Sequence, residues 1–209
     1  MPVLSPMVEE QAGWETALKV LFSASALLLS VLVSALPAIA ECKVPNFESF
    51  EHERWKAGDP LHYDDAKYGF AIPFHARHAK GTFYVYDFDI SDPKPRDAEE
   101  QLSRAVYEVD YMTQKFSLET KLSDPYLVPR EHYEGTGIAD NAVYFVTSNE
   151  AAHTVTIASI GVLHGCFHKI RYTQPVASDN PEDVLVGLIG FSALTSSMQD
   201  ALSKTGYLQ

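Results

Sequence analysis

The chain has 209 residues, 46% of them hydrophobic, with 28 acidic against 16 basic side chains and a formal net charge of −12. No run of lysine or arginine offsets that balance, which disfavours nucleic acid and anionic lipid as partners. No internal repeat or low-complexity tract interrupts the sequence.

From Leu18 to Ala40 the chain is an apolar run behind Lys19, closing with Ala38 and Ala40 in the small-x-small spacing that signal peptidase accepts. This predicts a signal peptide over residues 1–40 and a mature chain beginning at Glu41. A membrane anchor is the alternative, because Val20 to Leu36 approaches a spanning length, but four serines and Pro37 argue against it. Lipid attachment at Cys42 is disfavoured by Glu41, which stands where a lipoprotein site wants a small residue. The first seventeen residues carry Glu9, Glu10 and Glu15 and no basic side chain, the opposite of an export-competent start. Translation is therefore expected to begin at Leu18, through a leucine initiation codon.

Removing 40 residues leaves 169, expected to form a single exported α+β domain over 41–209, periplasmic or extracellular, with no transmembrane segment after cleavage. That portion holds 15 basic and 25 acidic residues, a net charge of −10. Only two cysteines occur, Cys42 and Cys166, and an even count in an oxidising compartment predicts one disulfide that ties the mature N-terminus to the rest.

Phe70, Ile72 and Phe74 alternate as a strand, and Pro73, which has no N–H to give a neighbour, places it at an edge. A turn at Ala79–Gly81 leads into the aromatic and β-branched run from Thr82 to Ile90, the second arm of a hairpin, with Tyr84, Tyr86, Phe88 and Ile90 on one face. Leu102, Ala105, Val106, Val109, Met112 and Phe116 then recur at three and four spacing, one stripe of an amphipathic helix, with Glu100 and Arg104 able to pair on its wet side. After Pro125 and Pro129, the stretches 141–148, 152–163 and 166–173 read as an antiparallel meander, and 130–134 as a further strand. Asn180, Pro181, Glu182 and Asp183 open a second helix that runs to about Gly206, its inner stripe Leu188, Phe191, Leu194, Met198 and Leu202. Gly187 and Gly190 fit a close approach to a sheet. The fold class is α+β: an antiparallel sheet of about six strands covered by two helices, in two layers or as an α/β/α sandwich.

This order, with Tyr68–Phe74, Thr82–Asp87 and Phe167–Arg171 as the matching segments, resembles the PsbP-like superfamily of small exported proteins. The resemblance spans most of the mature chain. It implies a non-enzymatic accessory or binding role and transfers no functional residue.

Several groupings could carry chemistry. His164, Cys166 and His168 stand at i, i+2 and i+4, one face of a strand, a set suited to zinc or copper. Cys166 is, however, the one partner for Cys42, and residues two apart on a strand are separated by about 6.6 Å, too far for easy joint ligation. His75 and His78 fit a solvated turn better than a metal site, and Asp87, Asp89 and Asp92 lack the glycine and glutamate of a calcium loop. Gly190–Leu194 lacks the last glycine of a nucleophile elbow and lies inside a helix. Tyr63, Tyr68, Phe83, Tyr84, Tyr86, Tyr144 and Phe145 exceed what one inward face needs, so Tyr84, Tyr86 and Tyr144 are candidates for a binding groove, set against simple burial under the helices. The leading expectation is a non-catalytic accessory or binding protein of the cell envelope, its partner a protein or small ligand, with no cofactor. The rivals are a metal-binding protein using His164 and His168, and a hydrolase with an unrecognised site.

Overall fold

A computed structural model describes residues 42–48, 50, 52–116, 121–133, 137–148 and 152–209. The predicted signal peptide and the Leu18 start lie outside these residues. The strands are β1 (Lys56–Ala57), β2 (Leu61–His62), β3 (Phe70–His75), β4 (Lys80–Tyr86), β5 (Lys121–Leu122), β6 (Tyr126–Leu127), β7 (Asn141–Ser148), β8 (His153–Leu163) and β9 (Cys166–Val176). Helix α1 (Pro95–Phe116) follows β4, and α2 (Pro181–Lys204) follows β9.

Every described pairing is antiparallel, in one sheet of order β1-β3-β4-β9-β8-β7-β5, with β2 also on β3 and β6 on β7. Among the described residues the sheet has nine strands rather than about six. The five long ones are those that alternation marked, and the four others are two residues each, too short to show any period. The strand expected over 130–134 is instead a single 3-10 turn, Arg130–His132, which starts directly after Pro129. Nor is β3 a bare edge. β1 and β2 pair with it on either side of Pro73, and the chain leaves the ladder between them, where Pro73 has no N–H but its carbonyl still accepts from Gly58 N–H at 2.8 Å.

Alternation along β8 divides the core in two. Val155 and Ile157 point to one face, joined by Phe74, Phe83, Ile170, Tyr172 and the inner stripe of α2. Ala158 and Ile160 point to the other, joined by Tyr86, Phe167, Ala98 and Leu102 of α1. The two helices thus cover opposite faces, which settles the arrangement as α/β/α. On the α2 side the N-terminal strap crosses the sheet: Phe47 packs edge-on against Phe74 and Phe83, and Trp55 lies 5.9 Å from Tyr172. A Cys42–Cys166 disulfide, Cα atoms 5.9 Å apart, anchors the strap as predicted.

Local signals act much as read, with one exception. Glu100 and Arg104 pair at 2.7 Å on α1. At the start of α2 the Asn180 side chain does not cap; Ser178 instead accepts from Asn180 N–H and donates to Asp183, fixing the turn that enters the helix. The helix closes at Gly206, φ 72°, with Tyr207 N–H reaching back to Leu202 and Gly206 N–H to Ser203, a Schellman ending. By length and composition alone α2 could cross a membrane. Leu188, Phe191, Leu194, Met198 and Leu202 are instead buried against the sheet.

Gly187 and Gly190 do bring α2 close to the sheet. A Cβ on Gly187 would stand 2.2 Å from Val155 Cγ1, and Val155 is fully buried and β-branched, so it cannot swing aside. Gly187→Ala gains about 1 kcal/mol of helix propensity but overpacks at a cost of about 1–3 kcal/mol. Urea unfolding is expected to show a net loss; a gain would mean α2 can shift off the sheet freely.

Candidate functional site

Between α1 and the sheet lies a cleft of about 310 Å³. Two of the residues that line it are small, Ala105 on the helix and Ala158 at the centre of β8, and larger side chains there would narrow the space. Strand parity then sets the floor. Tyr84, Lys169 and Arg171 share this face on β4 and β9, with Thr156 and Phe145 beyond them on β8 and β7. Gln101, Arg104 and Glu108 line the α1 wall, and Tyr63, Tyr68, Tyr86 and Phe88 form an aromatic rim.

Lys169 is the central charge. Its Nζ sits 4.9 Å from the Tyr84 ring centre and 5.7 Å from that of Tyr86, cation–π distances, and no carboxylate among the described residues lies within ion-pair reach of it. Burial holds its ammonium below the ordinary lysine range; Glu108 pulls the other way and Arg171 adds to the fall. Burial likewise raises the Tyr86 hydroxyl, with Glu108 reinforcing it, and raises Tyr63, with Tyr84 reinforcing it. Gln101 and Thr156 are only 5% and 4% exposed, yet neither side chain hydrogen-bonds another described residue, and neither has a sealed polar atom. Their free donors and acceptors therefore open into the cleft.

The rim carries backbone strain. Phe88 and Asp89 both have positive φ, 56° and 61°, a region costly for a bulky aromatic residue. An Asx turn holds the segment, Asp89 N–H donating to Asp87 Oδ1 at 2.9 Å. The bend ends β4 at Tyr86, short of the predicted Ile90, and lays Phe88 edge-on against Tyr68 and Tyr86 at 5.4 and 5.2 Å. Asp87 holds the turn and Asp92 pairs with Lys94, so these acids do not converge on a calcium site.

Of the predicted aromatic candidates, Tyr84 and Tyr86 come together in the cleft with Tyr63, Tyr68 and Phe145. Tyr144 does not: β7 parity turns it to the α2 side, where it stacks on Tyr126 at 5.3 Å. Phe83 is buried in the core on that same side. Lys169, Thr156 and Gln101 were missed by sequence reasoning. The available signal was Lys169 and Arg171 sharing parity with the apolar Phe167 in one strand.

His164 and His168 converge on Tyr207 rather than on a common ligand point. His164 Nε2 meets the Tyr207 carbonyl, and His168 faces the Cys166 carbonyl through Nδ1 at 3.1 Å and the Tyr207 hydroxyl through Nε2 at 2.8 Å. The Cys166 sulfur is taken by the disulfide. His75 and His78 are exposed, and no three histidine, cysteine or acidic side chains among the described residues gather as a metal site. Ser192 lies inside α2 rather than at a strand-to-helix turn, and its hydroxyl sits 3.0 Å from both the carbonyl and Nδ1 of His132. A wider hollow of about 960 Å³ opens between the strap and α2, but there Tyr172 is bonded to Gln174 and the other polar groups reach solvent.

No protein-family model matches this chain, and no curated protein matches it.

Proposed function

We propose that this is an exported accessory protein of the cell envelope that binds a small organic ligand in the cleft under α1, without chemistry on it. The observation that carries the reading is the polar set Lys169, Gln101 and Thr156, whose side chains hydrogen-bond or ion-pair with no other described residue, gathered among aromatic side chains. Small-molecule sites combine apolar walls with a few convergent polar groups, and 310 Å³ falls at the lower end of their usual range. Strain at Phe88 supports the same reading, because strained backbone concentrates at functional sites. Export is supported by the apolar run ending at Ala40 and by the disulfide. The resemblance to the PsbP-like superfamily agrees with binding rather than catalysis.

A fragment screen read by backbone amide NMR is the test. Hits are expected to shift the amides of Thr156, Ala158, Lys169 and Gln101, and Ala105→Trp, which fills the cleft, is expected to abolish them while leaving distant amides in place. Hits that cluster on the exposed Val186 and Ile189 of α2 would move the binding surface there and sink this reading.

A further inference from the structure

The charges that line the cleft do not balance. Arg104 is committed to Glu100 at 2.7 Å, so Lys169 and Arg171 remain against the single carboxylate of Glu108. Neither Lys169 nor Arg171 forms an ion pair with a described residue. One positive charge is left over, and it lies in a chain whose formal net charge is −12. Arg171 is exposed and Lys169 half-buried; a cation partly withdrawn from water is stabilised by a counter-charge held close and hydrogen-bonded, and no described residue pairs with Lys169 in that way.

Placement says where that counter-charge would sit. Lys169 is opposite Tyr84 on one side and Ile160 on the other, and Arg171 is two residues along on the same face, opposite Ala158. Two residues on a strand span about 6.6 Å, so an anion over the gap above Ala158 comes within reach of both cations. Gln101 lies on the helix wall and Thr156 on the floor of the same cleft, each buried and with no side-chain hydrogen bond to another described residue, and together they offer neutral donors to the remaining lone pairs. Away from these polar groups the cleft surface is aromatic: Tyr84, Tyr86 and Phe88, with Tyr63 and Tyr68 at the mouth. Such walls accept a flat ring by offset or edge-on packing, and the strained turn that fixes Phe88 removes part of the ordering cost of binding.

Resting on the cleft reading above, we infer that the ligand is a small aromatic monoanion, its anionic group held by Lys169 and Arg171 with Gln101 and Thr156, and its ring packed against Tyr84, Tyr86 and Phe88. One negative charge completes the balance; a second would face Glu108 uncompensated. A neutral ring leaves Lys169 without a counter-ion. Burial depresses the Lys169 ammonium, and an anion seated beside it would restore it.

The test compares 2-naphthoate with its neutral isostere 2-naphthamide on the folded protein, each titrated while cleft amide shifts are recorded. Naphthoate is expected to bind at least tenfold more tightly than naphthamide, to weaken as sodium chloride is raised, and to lose at least tenfold in affinity in Lys169→Met. Thermal unfolding and the amide spectrum of that variant report whether it remains folded, and the comparison of the two probes on the unsubstituted protein needs no variant. If naphthamide binds the cleft as well as naphthoate, the ligand class is overturned and the cleft reading stands. If neither shifts the cleft amides, both fall.

Discussion

Loss of the Cys42–Cys166 disulfide is expected to lower the stability of the folded chain by about 4–5 kcal/mol in the chain-entropy account. The cross-link closes a loop of 124 residues of sequence separation, so the unfolded chain regains a large conformational freedom when it is cut. The folded side of the balance changes less, because the strap keeps other attachments: Phe47 remains buried among Phe74 and Phe83, and Trp55 against Tyr172. Urea unfolding of the protein with and without a phosphine reductant, and of the double variant Cys42→Ser, Cys166→Ser, measures the effect. With a urea slope of about 2 kcal/mol/M, the midpoint should fall by about 2 M. A midpoint that does not move would mean that the strap's packing alone fixes residues 42–57 and that the unfolded chain is already restricted.

A second large effect is expected on acidification, and it comes from His168. The imidazole is buried between the sheet and the C-terminal Tyr207, and its pKa is pushed down to about 4, first by burial and further by repulsion from His164, against a contribution from the Cys166 carbonyl in the opposite direction. As the neutral ring it donates from Nδ1 to that carbonyl, while Nε2 accepts from the Tyr207 hydroxyl, whose proton the Lys43 carbonyl also draws on. Unfolded, the same histidine titrates near 6.5. Between about pH 6.5 and 4 the unfolded chain therefore binds a proton that the folded chain refuses, so this contribution is complete above 6.5 and is lost as pH falls toward 4. The difference in pKa corresponds to about 3 kcal/mol. Carboxylates also titrate near the acid end, and His168→Gln separates them. Urea unfolding from pH 7.5 to 4 should show the unsubstituted protein losing about 3 kcal/mol more than the variant. Parallel curves would show that His168 takes up its proton as readily folded as unfolded.

Several structural features are written locally. Phe70, Ile72 and Phe74 alternate, and they lie on one buried face of β3. His164 and Gly165, at φ 53° and 73°, make the two-residue turn that joins the 11-residue strands β8 and β9. The stripe from Leu188 to Leu202 is the buried side of α2, and counting cysteines was sufficient to name the disulfide. Local pattern failed where elements were too short to have one, as in β1 and β2. It also failed at Asp87–Ile90, where apolar alternation continues through Phe88 and Ile90 although an Asx turn has already ended the strand.

The cleft was only half legible. Tyr84 and Tyr86 are two apart on one strand, so the sequence alone puts them on a common face, with Lys169 and Arg171 similarly paired on theirs. Nothing local says that these two faces are the same one. That depends on β9 lying between β4 and β8, which sets Lys169 directly opposite Tyr84 across a separation of more than eighty residues, and on α1 covering that face, with Ala105 and Ala158 both lining the cleft. Side-chain parity is fixed by the backbone of each strand, a local property of chirality and pleat. Strand order and helix placement are decided by how all the apolar faces are buried at once, and the site exists only after that non-local choice has been made.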